Sequence, residues 1–222
     1  GCSSLLSVSL SGTMTSIPSS MFYQCSSLET IQIPERVGAI GAEAFGYCSA
    51  LRSVNIPSGV TSLNSSTFIQ CTSLTNISIP DGMVSIYNYV FSDCTSLTSV
   101  QFPDTITTLG DGIFNNCSSL TGVVLSKNIT SIPKRTFESC SSLTEIEIPS
   151  LVTEIGDTAF LGCTSLASIT SLPPNPPTLG TNVFANVPNT LKIYVPAASV
   201  SAYQAANGWS AYASQIEAIP SN

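Results

Sequence analysis

The 222-residue sequence predicts a repeat solenoid of short parallel strands, closed at its C-terminal end by a strand and a helix. Three observations carry that prediction. Eight cysteines stand at Cys2, Cys25, Cys48, Cys71, Cys94, Cys117, Cys140 and Cys163, which is seven successive intervals of 23 residues without an insertion. Each opens the same phrase, CSSL, CSAL or CTSL. Other apolar columns keep that register: Phe recurs from Phe22 to Phe160 three residues before each Cys, and Ile or Val occupies Val8, Ile31, Val54, Ile77, Val100, Val123, Ile146 and Ile169. The C-terminal end then departs from the repeat, as a cap over the last coil must.

Within one unit the elements follow in order. The stretch L-x-x-[IV]-x-[ILF] alternates apolar and polar residues, the period of a strand buried on one face. Pro usually comes next, at Pro34, Pro57, Pro80, Pro103 and Pro149, and it ends the strand because it has no N–H to donate. The segment from the Met14/Val37 column to the Ile17/Ile40 column predicts a second short extended piece, and the G-x-x-A-F region (41–45 and 156–160) a turn or a short helical or 3₁₀ segment. Ser and Thr fill the two positions after Cys, where small hydroxyls suit a tight bend and can ladder to the next coil. The Cys column has no C-x-x-C pair, so a stack of unpaired buried thiols is expected in place of a metal site or a disulfide framework.

After Ile169 the register slips by one, so the Phe column returns at Phe184, and the loop SLPPNPPTLG carries four Pro in ten residues. LKIYV (191–195) reads as the final strand. Pro196 opens a helical pattern with Val200 and Tyr203 on one face, Asn207-Gly208 as a bend, and Trp209, Tyr212 and Ile216 as a second apolar face. The domain reading is a solenoid over 1–184 and a cap over 185–222, with an aromatic ligand site around Tyr203, Trp209 and Tyr212 as the functional alternative to a cap.

The strand phrase together with the 23-residue unit, IP after the strand and AF-x-x-C before the next, resembles the BspA-type leucine-rich repeat, over residues 2 to about 170. The YVP strand followed by a Tyr- and Trp-bearing helix is also similar to the way many members of that family end. The resemblance implies a right-handed leucine-rich-repeat coil with its strands on a concave face. It further implies a secreted or bacterial cell-surface protein whose repeats serve adhesion and binding.

Composition excludes several functions. The chain contains no His, so no Ser-His-Asp or Cys-His nucleophile pair and no imidazole-ligated metal site exists. A net charge of −7, from 6 basic and 13 acidic residues, argues against nucleic acid as a partner. Polarity comes instead from 38 Ser and 23 Thr, and no apolar run is long enough to span a bilayer. No cofactor and no enzymatic activity are expected. Four N-x-[ST] sequons, at Asn64, Asn76, Asn116 and Asn128, are what so hydroxyl-rich a chain produces by chance.

The candidate partner-binding residues are those alternating with the buried strand column: Thr30 and Gln32, Ser53 and Asn55, Asn76 and Ser78, Ser99 and Gln101, and Glu145 and Glu147. The expected function is a non-catalytic recognition or adhesion module that takes a protein or glycan ligand, host extracellular ones included, along this face. The alternative is a passive spacer of a longer surface protein whose binding site lies upstream. Glu145 and Glu147 alone offer a carboxylate pair, read as a solvated strand face before a glycosidase dyad or a calcium site. Gly1-Cys2 opens inside a repeat with no leader, which predicts a fragment or processed portion of an exported protein and a self-association surface at the uncapped N-terminal coil.

Overall fold

A computed structural model describes residues 1–220 as a rod of stacked coils, about nine in all. Two ladders of short parallel strands run along it. The first comprises Ser7–Ser9, Thr30–Gln32, Ser53–Val54, Ser99–Gln101, Gly122–Val124, Glu145–Ile148, Ser168–Ser171, Lys192–Val195 and Ile216–Ala218. Its register is the sequence repeat made physical: Ser7 pairs with Thr30, Val8 with Ile31 and Ser9 with Gln32. In the fourth coil isolated bridges, Asn55 to Ser78 and Asn76 to Ser99, stand in place of a strand. The second ladder is the extended piece expected after the Pro: Ser16–Ile17, Ala39–Ile40, Ser62–Leu63, Ser85–Ile86 and Thr108–Leu109 form one sheet, and Ser131–Ile132, Glu154–Ile155 and Thr178–Leu179 another. Pro opens the corner between the ladders, its carbonyl accepting the N–H three residues on, as Pro34 does from Val37 (2.9 Å) and Pro103 from Ile106 (3.1 Å).

The third side of each coil is neither helical nor 3₁₀. It is a run of turns in which two residues per coil take the left-handed conformation: Ser20 and Gln24, Glu43 and Tyr47, Ser66 and Gln70, Tyr89 and Asp93, and so on to Asn182 and Asn186. Glycine fills only two of these sixteen positions, Gly112 and Gly162. Non-glycine residues are held there because the turn makes a third ladder. The N–H groups of Ser20, Phe22 and Gln24 donate to the carbonyls of Ala42, Ala44 and Gly46 at 2.8–2.9 Å, and the pattern repeats in later coils. Satisfying these backbone groups offsets the steric cost of the left-handed region.

The interior is one continuous core in which the columns stack on themselves. The eight rings from Phe22 to Phe184 stack with centroids 5.3–5.8 Å apart and planes within 17° of parallel. All eight cysteines are free; seven are buried and Cys2 is exposed, so the expected column of buried thiols begins at Cys25. The thiols are also donors. Cys48 Sγ donates to the Phe22 carbonyl at 3.1 Å, and Cys71, Cys94, Cys117, Cys140 and Cys163 each do the same to the Phe carbonyl of the coil before. The hydroxyl ladder forms as well, from side chain to the preceding coil's backbone: Thr72 Oγ1 to the Ser49 carbonyl, Thr98 Oγ1 to that of Thr75.

The C-terminal end corrects two readings. Lys192–Val195 is not the last strand, and Ile216 is not on a helix face. The chain passes through Ala197–Ser199 (3₁₀), the helix Val200–Ala205 and the 3₁₀ turn Trp209–Gln215, then returns as Ile216–Ala218, parallel to Lys192–Val195 with Ile193 opposite Ile216. That step is again 23 residues, so the cap is a coil whose corner has been replaced by short helices. The Pro-rich loop explains the replacement. Its prolines cannot donate, but their carbonyls accept from the cap: Tyr203 Oη to Pro173 (2.9 Å), Ser199 Oγ to Pro174 (2.7 Å) and Trp209 Nε1 to Pro177 (2.8 Å).

Candidate functional site

The first ladder presents two columns of outward side chains flanking its buried Ile/Val column, as alternation on a strand requires. One column carries Thr30, Ser53, Asn76, Ser99 and Glu145; the other carries Gln32, Asn55, Ser78, Gln101 and Glu147. All ten are exposed, while Ile31, Val54, Ile77, Val100 and Ile146 between them are buried. The structure therefore brings the ten onto one face. It also breaks their run, because Gly122 and the 58% exposed Val124 occupy the two columns ahead of Glu145 and Glu147.

Where the strand gives way to isolated bridges the face dips. A depression of about 380 Å³ is lined by Asn76, Ser78, Ser99 and Gln101 together with Asp81 and Pro103. Four of the ten candidates thus converge on one concavity, with two amides and two hydroxyls that both donate and accept. A single carboxylate, Asp81, adds charge. The arrangement suits hydrogen-bonded recognition of a polar ligand. Its lining holds one carboxylate and no His, hence neither a carboxylate pair nor a histidine beside its two hydroxyls.

The charged end of the face is larger than sequence reading found. Ser168 lies opposite Lys192 and Thr170 opposite Tyr194, and Tyr194 in turn lies opposite Glu217. Lys192, Tyr194 and Glu217 therefore continue the columns of Glu145 and Glu147, and Lys192 Nζ bridges to the Glu217 carboxylate. The signal was available in the one-residue slip, which moves the column from 191 to 192. Glu145 and Glu147 point to solvent from Glu145–Ile148, and among the described residues no group of three His, Cys, Asp or Glu is placed to hold a metal.

Two other candidates resolve into structure. The aromatic ligand site proposed for the cap does not exist: Tyr203 and Trp209 are wholly buried, with ring centroids 5.0 Å apart, and both are consumed by hydrogen bonds to the Pro loop. Burial pushes the Tyr203 phenol up, with the Ser171 hydroxyl partly opposing it. The thiol column is equally inert. Burial pushes Cys48 and Cys163 up to about 12 and raises Cys71, Cys94, Cys117 and Cys140 as well, so none supplies a thiolate at neutral pH.

Comparison with known proteins agrees with this architecture. The family described as BspA type Leucine rich repeat region matches residues 1–98 and 61–192, with six copies of its unit. A leucine-rich repeat protein of T. pallidum, TpLRR, superposes with a TM-score of 0.68 at 30% identity, over 72% of this chain and 78% of that one. A leucine-rich repeat protein from Eubacterium ventriosum shares the fold with a TM-score of 0.59 at 19% identity, over 78% of this chain and 58% of that one. No curated protein matches the chain. With the family's unit spanning nearly all of the rod and a relative of 30% identity superposing on most of it, the chain belongs to the BspA-type leucine-rich repeat family.

Proposed function

We propose that this chain is a non-catalytic recognition module of a secreted or bacterial cell-surface protein, and that it takes a protein or glycan ligand along the first-ladder face. The observation that carries the reading is the convergence of Asn76, Ser78, Ser99 and Gln101 on one depression of the strand face. Such a site fixes a ligand by paired hydrogen bonds, each contributing modestly. Family membership supports the extracellular setting, since repeats of this type are typical of bacterial surface and secreted proteins. Among the described residues no helix is long and apolar enough to cross a membrane.

The test is biolayer interferometry against immobilised extracellular matrix proteins and a glycan panel, with the wild-type chain beside a variant carrying Gln32→Lys, Asn55→Lys and Gln101→Lys. Three exposed lysines leave the core untouched and place three positive charges along one column. Loss of affinity by about tenfold or more, roughly 1.4 kcal/mol, is expected. Equal binding by the variant rejects this face.

A further inference from the structure

A second concavity lies on the turn side of the rod, away from the strand face. It measures about 490 Å³ and its lining side chains are uncharged: Gln24, Tyr47 and Gln70 line it from three successive coils, with Ser26 and Ser49 beside them and Gly1 and Ser3 completing the wall next to Gln24. These three occupy the same left-handed column, at φ of 58°, 61° and 59°. Further along, that column holds Asp93, Asn116, Ser139, Gly162 and Asn186, mostly small residues that the left-handed region tolerates well. Within this column the long or bulky side chains are the three that line the groove, whereas the companion left-handed column holds Glu43, Tyr89 and Arg135 elsewhere along the rod. Among the described residues, neither the Gln24 nor the Gln70 side-chain amide is engaged by another protein group, so both are open to a ligand.

The aromatic ring is braced from below. Tyr23 meets Tyr47 edge-on, with centroids 5.3 Å apart and planes at 70°. Gly46 makes room for that brace, since a Cβ there would stand 3.0 Å from Tyr23 Cδ2 and 3.3 Å from a methyl of Ile69. Tyr47 is nonetheless 39% exposed, so a face of the ring remains free.

We propose that this groove binds a neutral linear oligosaccharide. The electron-rich face of Tyr47 packs against the C–H face of one sugar ring. The amides of Gln24 and Gln70, two coils and therefore roughly 10 Å apart, each donate to and accept from the hydroxyls of the sugars on either side. A charged glycan finds no charged side chain to pair with. A protein partner finds only one ring and two amides, well short of the roughly 800 Å² per side of a stable interface.

Isothermal titration of the 222-residue chain with cellotetraose, maltotetraose and chitotetraose tests this. One of the three is expected to bind in the millimolar range or tighter. Tyr47→Gly places glycine where φ is 61°, so the thermal midpoint is preserved while affinity falls at least about tenfold. Tyr47→Phe keeps the ring and retains binding, and Gly46→Ala weakens it by displacing Tyr23. The strand-face triple variant binds as wild type does, which separates this site from the proposed function. Absence of binding by all three tetrasaccharides at about 10 mM, survival of binding in Tyr47→Gly, or its loss in the strand-face variant would each overturn the proposal.

Discussion

The opening and closing coils of the rod are made from the same columns, yet they are covered differently. At the closing end Phe184 lies under Trp209 and Tyr212, with centroids 5.7 and 5.4 Å away, and Trp209 has no exposed surface. At the opening end Leu5, Val8, Leu10 and Met14 are only partly buried, and Leu6 is 64% exposed. A repeat residue is buried by two neighbours, the coil before and the coil after. Within residues 1–220 the first coil has only the later of these neighbours, while at the closing end non-repeat residues replace the missing one. This is why the cap spends its largest side chains at one point and ties Tyr203, Ser199 and Trp209 to the Pro loop, in addition to pairing Ile216–Ala218 with the coil before it.

The largest expected effect attacks the column that runs between the two ends. Six thiols from Cys48 to Cys163 have folded pKa values raised by burial above the ordinary 9.0, to about 12 at Cys48 and Cys163. A raised folded pKa means that stability is complete below the unfolded value and is lost as pH climbs through the folded one. Each thiol therefore costs the folded state progressively more stability as pH rises above 9. Six in series make the denaturation midpoint fall steeply between about pH 9 and about pH 12. Urea titrations across that range measure it, and a flat profile would remove the thiols as buried donors. Thiol labelling at neutral pH distinguishes the ends in the same experiment: exposed Cys2 reacts in the folded protein, and the six react only on unfolding.

Next in size is Trp209→Ala. It opens a cavity against Phe184 and Tyr203 and leaves the Pro177 carbonyl without its donor, costing about 3–5 kcal/mol. Because coils are coupled chiefly to their neighbours, the damage is local. Amide exchange should quicken in Lys192–Val195 and Ile216–Ala218 well before it does in Thr30–Gln32. Uniform loss of protection along the rod would mean that the cap governs global stability and that the ends are not independent.

How far this contrast was legible in the sequence depends on the kind of constraint. Burial columns repeat because each coil faces the same neighbour, so Phe91 and Cys94 announce themselves by spacing alone. The left-handed turn positions do not, since backbone bonds to the next coil hold Gln24 and Tyr47 there without the glycine that usually marks such geometry. The cap was half legible. Trp209 and Tyr203 read as covering residues, but Ile216 sits on a strand because the chain resumes the 23-residue step after its helices, which helical spacing of three aromatics and an Ile conceals. Lys192, Tyr194 and Glu217 were missed on the strand face for the related reason that one inserted residue shifts the column. The turn-side groove has no sequence signature, since Gln24, Tyr47 and Gln70 meet only through stacking.

The smallest effect is the most direct comparison of a covered coil with an uncovered one. Leu5 and Leu28 are the same residue in the same column one coil apart, partly buried and wholly buried respectively. Leu28→Ala should cost about 2–5 kcal/mol, from lost transfer energy and the cavity that the stacked neighbours cannot close. Leu5→Ala removes atoms that are already partly exposed and covered from one side, so a smaller cost of about 1 kcal/mol is expected. Denaturant midpoints at two protein concentrations measure both. Equal costs, with a Leu5→Ala effect that grows with concentration, would mean that a second copy covers the opening coil in solution. The unequal, concentration-independent result means that the first coil stands at the edge of the core, held from one side only.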